Sequence, residues 1–281
     1  MITRNETQTG PAGQIPAGAR GATQRQVRDD HSLTVSAASI VGVLAAWSIG
    51  SVLLHSKVLL PSPIDVAVAA WTIAVGSFQG SSLWTDIWVS TVRVLTGYFI
   101  GVLLGLALGF GIATNTLTKA ITDPILELLR PIPPLAWIPL LVVWFGIGEL
   151  PKILLLIMAA TPLMAIATAG AIDGVRKDLK LSAQSLGANG WQVLLYVVLP
   201  ASLPGILTGA RLATAACWSS LVAVEMIAAE SGLGWLIWQA SNYLQTSIVF
   251  VGIVLIATIA LVFDRGLRML ESRLVPWRGR V

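Results

Sequence analysis

Long apolar runs separated by short polar breaks define this chain, and each run has the length that a bilayer demands. Residues Leu33 to Leu54 form the first run, about 20 residues, matching a hydrocarbon core about 30 Å thick. Leu60 to Pro63 reads Leu-Pro-Ser-Pro and cannot continue a helix, and Ile64 to Asp86 mixes apolar positions with Asp65, Gln79 and Asp86, as an interfacial segment would. A second span is expected from Ile87 to Ala113, with Gly97, Gly101, Gly105 and Gly109 at every fourth position. That spacing puts four glycines on one helix face, where another helix can approach the backbone closely. Asn115 to Asp123 reads as a polar connection, and Pro124 to Phe145 as a third span interrupted by Arg130, Pro131, Ile132, Pro133 and Pro134. Three prolines so close together predict a broken or late-starting helix, because freed carbonyls must find protein, water or headgroups.

After a turn at Gly146 to Pro151, the fourth span runs from Lys152 to Ile172 and closes a helical hairpin, with a kink expected at Pro162. Asp173 to Pro204 is too polar to span and too patterned to be coil, so it is expected as a pair of amphipathic surface helices. Spans five and six follow at Gly205 to Met226 and Ser247 to Val262. The intervening Ala228 to Thr246, with Gly232, Gly234, Trp235 and Trp238, is long enough for a re-entrant or interfacial excursion. The pattern therefore predicts an all-α polytopic transmembrane helical bundle of about six spans.

Composition supports the same class. Of 281 residues, 55% are hydrophobic and 11% are charged, against about 25% charged in soluble domains. The basic excess, 18 Lys and Arg against 14 Asp and Glu, has no clusters with interleaved aromatics, which excludes a nucleic-acid surface. It marks topology instead: Arg4, Arg20, Arg25, Arg28, Lys119, Arg176, Lys177, Lys180, Arg265, Arg268, Arg273, Arg278 and Arg280 all fall on one side of a six-span arrangement. By the positive-inside rule that side is the cytosol, and both termini lie there. The organisation is then a disordered tail at 1–32, a membrane domain at 33–265 containing a cytosolic loop at 173–204, and a basic tail at 266–281. Cys217 lies within an apolar run and reads as a packing residue, while His31 and His55 have no converging ligands, so no metal site is expected.

The cytosolic loop leaves an organised surface outside the bilayer. Ser182, Ala183, Gln184, Ser185, Leu186, Gly187, Ala188 and Asn189 place small side chains and a glycine around a turn, which suits close approach by a partner's cleft; an ordinary interfacial helix is the alternative. Leu181 to Pro200 resembles the cytoplasmic coupling loop of ABC importer membrane subunits, with Ser182, Ala183, Gly187, Val197, Leu199 and Pro200 on its spacing and Leu181 where many members carry Glu. The wider chain, Leu60 to Trp277, resembles the branch that handles nitrate, aliphatic sulfonates and taurine, taurine permeases above all. Leu60 to Pro63, Leu128 to Gly148, Ala183 to Ala188 and Glu225 to Gly234 carry the likeness.

The resemblance implies a type I ABC importer permease fold and a homodimer of permease subunits in the bacterial inner membrane. It also implies two cytosolic ATPase subunits that bind ATP and Mg, and a periplasmic solute-binding protein. No Gly-rich phosphate loop ending in Gly-Lys-Ser or Gly-Lys-Thr occurs, so this chain holds no cofactor and hydrolysis belongs to a partner. For a sulfonate or other small anion, Arg93 and Arg130 are candidate sources of positive potential, with snorkelling or helix capping as the alternative for each. Pro131, Pro133 and Pro134 are candidate hinge positions, and Trp137 and Trp144 line a passage or pack in an aromatic belt. Glu225 pairs with a neighbouring base or with an amino group on the substrate. Competing classes are a nitrate or other anion importer, an ion-coupled secondary carrier, whose repeats and buried relays are not evident, and a membrane scaffold.

Overall fold

In a computed structural model of the protein, residue 35 and residues 38–276 are described. The expected tail at 1–32, with Arg4, Arg20, Arg25, Arg28 and His31, lies outside the described residues, as do Trp277, Arg278 and Arg280. Residues up to 56 and residues from 57 onward form separate compact units. In the first, α1 (Ala38–Leu54) is an apolar helix. At 1.5 Å per residue it rises about 25 Å, somewhat less than a hydrocarbon core.

The second unit begins with α2 (Pro63–Val75), which starts where the Leu-Pro-Ser-Pro sequence ends. Ser62 and Asp65 form a capping box: Ser62 Oγ accepts from the Asp65 amide at 3.1 Å, and the Ser62 amide donates to the Asp65 carboxylate at 3.2 Å. The Lys57 ammonium, 2.8 Å away, together with Ser62, holds the Asp65 carboxyl down at about 2. A turn closed by the Phe78 and Ser81 bridge leads to α3 (Leu83–Thr114).

The central packing unit is α3, α6 (Glu149–Asp173) and α9 (Leu199–Ala228). The glycine ridge of α3 lies directly on α6. A Cβ at Gly101 would meet Ala160 Cβ at 2.7 Å, one at Gly105 would meet Met164 Cβ at 2.5 Å, and one at Gly109 would meet Thr168 Cβ at 2.5 Å, while Gly97 abuts Leu156. The partner positions repeat every fourth residue as the glycines do, so the two backbones interlock over several turns. On an adjoining face of α6, Gly205 and Gly209 of α9 press on Ala171 and Ala167. α6 continues through Pro162 as a single helix. Tyr98, Leu156, Cys217, Trp218 and Leu221 fill the core between the three helices, and the Tyr98 ring meets Phe263 of α11 (Thr246–Leu274) edge-on at 5.4 Å. Arg211 of α9 donates to Asp264 of α11 at 2.9 Å, and Arg268 donates to the same carboxylate at 2.7 Å.

Several boundaries differ from the sequence expectation. Asn115 to Asp123 is not a connection: the Asn115 side chain accepts from the Leu117 amide at 2.8 Å and caps α4 (Thr116–Leu129) immediately. The expected break follows, since α4 and the segment Pro134–Phe145, a 3₁₀ turn and α5 (Ile138–Phe145), meet at 91°. The second helix of the predicted surface pair is instead the start of a span. From α8 (Gly190–Val193) the chain passes through a π turn at Leu194–Val198 into α9, one apolar helical stretch from Gly190 to Ala228. The long loop at Ala228 to Thr246 contains α10 (Leu233–Asn242), packed against α9 and α11. α11 extends to Leu274, so the described part of segment 266–281 is mostly helix.

The expectation of six spans is corrected accordingly. Four described helical stretches are long and apolar enough to cross: Leu83–Thr114, Glu149–Asp173, Gly190–Ala228 and Thr246–Leu274; the bent pair is a fifth if counted as one broken span. The count falls because the described part of α1 is short and because the prolines at 131–134 divide what reads as a continuous apolar run.

Candidate functional site

At the N-terminal ends of α3 and α6 and the C-terminal end of α9, a polar cluster lies inside the bundle. Asp86, Ser90 and Arg93 stand four and three residues apart on one face of α3, all buried. Arg93, only 2% exposed, divides its guanidinium between two carboxylates. Its Nη1 donates to Glu225 of α9, and its Nε and Nη2 donate in a parallel fork to the two oxygens of Glu149, each at 2.7 Å. Lys152, also buried, donates to Glu149 at 2.9 Å.

The Glu225 side chain is fully enclosed. It accepts from Ser90 Oγ at 2.8 Å and from the Gly234 amide at 2.8 Å. The Gly232 amide donates to Asp86 at 2.9 Å, and the Leu233 amide donates to Ser90 Oγ at 2.8 Å. The free N–H groups that open α10 are thus satisfied by side chains from α3 and α9. Gly232 has a φ of 122°, a conformation that strains a side chain, and a Cβ there would run into the Glu225 carboxylate at 2.5 Å. Arg93 and Glu225 are therefore brought together, and burial replaces the snorkelling alternative for Arg93. Pairing with a base, one reading of Glu225, is what the geometry displays.

Arg130 is placed differently. It is the exposed residue that caps the C-terminal end of α4. Pro131 and Pro133 are exposed in the bend, and Pro134 opens the 3₁₀ turn. Trp137 packs on the cluster of Ile138, Leu141, Leu155 and Val224, whereas Trp144 is exposed and meets only Phe145 among aromatic partners in the described residues. Beside the bend, Ile138, Val142, Ile147, Ile227 and Glu230 line a cleft of about 440 Å³.

At the opposite end of the bundle, α7 (Lys177–Ser185) carries Ser182 to Ser185 and stops in a glycine turn. The Gly187 amide donates to Gln184 at 2.9 Å and the Ala188 amide to Ala183 at 3.0 Å, with Gly187 at a φ of 89°. This is the Schellman arrangement, and it requires a residue that tolerates left-handed backbone. Asn189 then forms a reciprocal cap with Gln192 at 2.9 Å. Ala183 and Ala188 pack inward against Ile172, Val175, Val193 and Val198, which anchors the loop on the end of α6, on α8 and on the π turn. Outward, Leu186 is 89% exposed, and Leu181 and Trp191 are exposed beside it. The loop presents an apolar tip.

The profile of binding-protein-dependent transport system inner membrane components matches residues 101–276, which hold Gly101, Gly105 and Gly109 of the glycine ridge and this loop. The chain belongs to that family. The permease is 41% identical to the taurine transport system permease protein TauC of Escherichia coli (strain K12), over 89% of this chain and 92% of the relative. It is 38% identical to the putative aliphatic sulfonates transport permease protein SsuC of the same organism, over 84% of this chain and 89% of that one. Its fold is that of solved importer subunits: the MetNI methionine ABC transporter in an inward-facing conformation superposes with a TM-score of 0.54 at 21% identity, covering 68% of this permease and 99% of that chain. This is accordingly a multi-pass, non-catalytic permease subunit of an ABC importer with a type I importer fold, coupled to a separate ATPase.

Sequence reasoning missed Asp86, Ser90, Glu149 and Lys152 in the buried cluster, and Trp191 on the loop. The polar stripe Asp86, Ser90, Arg93 inside an apolar helix is the signal that identifies the α3 part. Among the described residues no group of three or more His, Cys, Asp or Glu converges as a metal site.

Proposed function

We propose that this permease passes taurine or a related small sulfonate through a dimer of two copies. Solute would be delivered by a periplasmic binding protein, and transport driven by ATP and Mg bound in two cytosolic ATPase subunits. The observation that carries this reading is the 41% identity to a taurine permease across 89% of the chain. The end that carries α7 and most of the described basic residues is the cytosolic one. Ser182 to Asn189 dock the ATPase. The fixed glycine turn and the exposed Leu186 support this role, with Leu181 and Trp191 making the contact apolar where an acidic residue is common. Arg130, Pro131, Pro133, Pro134, Trp137 and Trp144 form the movable wall of the pathway, since the 91° bend places non-helical backbone there, which lipid alone cannot accommodate.

Reconstitution with candidate ATPase and binding-protein subunits tests the assignment. ATP-dependent uptake of taurine or another sulfonate is expected. Uptake of nitrate alone, or uptake driven by a sodium or proton gradient without the ATPase, would refute it.

A further inference from the structure

The two buried cations at the ends of α3 and α6 hold one exposed carboxylate between them. Arg93 and Lys152 have side chains 1% and 6% exposed, whereas the Glu149 side chain they share is 57% exposed. The cations therefore form the floor and Glu149 the removable outer layer. Glu149 is also the first residue of α6, so its carboxylate sits against the positive end of that helix.

The ion-paired charges are Arg93 and Lys152 against Glu149 and Glu225, and Asp86, two turns from Arg93 along α3, is a further buried carboxylate held by the Gly232 amide and Ser81. If the Glu149 carboxylate swings outward, Glu225 stays engaged with Arg93, Ser90 and the Gly234 amide, and the Arg93 fork and the Lys152 ammonium lose their shared acceptor in a buried place. Buried donors in that state draw a replacement anion. The donors left behind, an Arg fork and an ammonium, match the oxygens of a small oxyanion as well as they match a carboxylate.

We propose that Arg93 and Lys152 form an oxyanion site that Glu149 occupies at rest, and that the sulfonate group of the substrate takes the place of the Glu149 carboxylate during passage. The inference rests on the sulfonate reading above for the identity of the anion. Exchange with an internal carboxylate gives the property a transport pathway needs, positive potential without tight trapping, because each anion entering releases an equivalent interaction. A lipid phosphate offers the same oxyanion chemistry; the depth of the two cations favours a small anion over a headgroup carried on a bulky lipid.

The test uses the permease assembled with its ATPase, without binding protein, in detergent and in phosphatidylglycerol nanodiscs. Equilibrium binding of radiolabelled taurine and of inorganic sulfate is measured for the wild type, Glu149→Ala, and Glu149→Ala combined with Lys152→Gln. The single variant is expected to bind sulfate at least about 10-fold more tightly than the wild type, and the double variant is expected to lose that gain. Equal binding by wild type and single variant, or a gain that survives Lys152→Gln, overturns the site. A gain seen in detergent and absent in nanodiscs assigns the site to a lipid headgroup and overturns the substrate role. If Glu149→Ala does not assemble, Glu149→Gln is heated with and without sulfate: a rise in unfolding temperature that the wild type lacks is expected, and no rise, or no folded Gln variant even in sulfate, overturns the proposal. Sulfate binding does not depend on which anion is transported, so a failure of the sulfonate reading leaves this result interpretable.

Discussion

Glu225 shows how a single residue in an apolar span is made tolerable. Its carboxylate is enclosed, yet it accepts from Arg93, from Ser90 and from the Gly234 amide, which replaces the hydration it loses. Such a pair contributes little net stability compared with an apolar pair of the same shape, but losing one member strands the other. Glu225→Ala should therefore lower stability by about 3–5 kcal/mol, while Arg93→Met combined with Glu225→Met should recover at least about half of that loss. Thermal unfolding of the purified protein measures both. A double variant as unstable as the sum of the two single ones would show that the two residues act independently and that no stranded partner accounts for the loss.

At the scale of elements, the loop around α7 is a rigid part with an apolar tip. The Schellman bonds from Gly187 and Ala188 fix how α7 ends, and the packing of Ala183 and Ala188 fixes where it sits. Gly187→Trp puts a bulky side chain on backbone with a φ of 89° at the surface proposed to meet the ATPase. Uptake should fall about 10-fold or more while ATP hydrolysis by the assembled complex continues. Uptake at the wild-type rate, measured in the same proteoliposomes, would remove the loop from the coupling route. This loop was legible in the sequence because glycine and small residues at fixed offsets have a local cause. The glycine ridge was legible for the same reason, since its period alone puts Gly97 to Gly109 on one face. The start of α4 was misread because one Asn115 side chain is enough to begin a helix, and a polar stretch of that length resembles a connection. The partners of Arg93 were not legible at all: Glu149 and Glu225 lie 56 and 132 residues away, and no local period encodes that meeting.

For the molecule as a whole, charge placement sets orientation in the membrane. Lys119, Arg176, Lys177, Lys180, Arg265, Arg268 and Arg273 lie at or near the loop end of the described spans, the end proposed as cytosolic. A reporter fused after Val281 should be active on the cytosolic side, and activity only on the periplasmic side would invert the proposed topology. Orientation in turn gives the pinning of α10 a mechanical meaning. Its first three amides are tied to Asp86 and Ser90 of α3 and to Glu225 of α9, so α3, α9 and α10 must travel together. The connection after α9 then cannot swing as a flap on its own. Any widening of the pathway at that end has to come from the surfaces this body turns toward its neighbours, which in the proposed dimer would make each subunit one jaw of a pair.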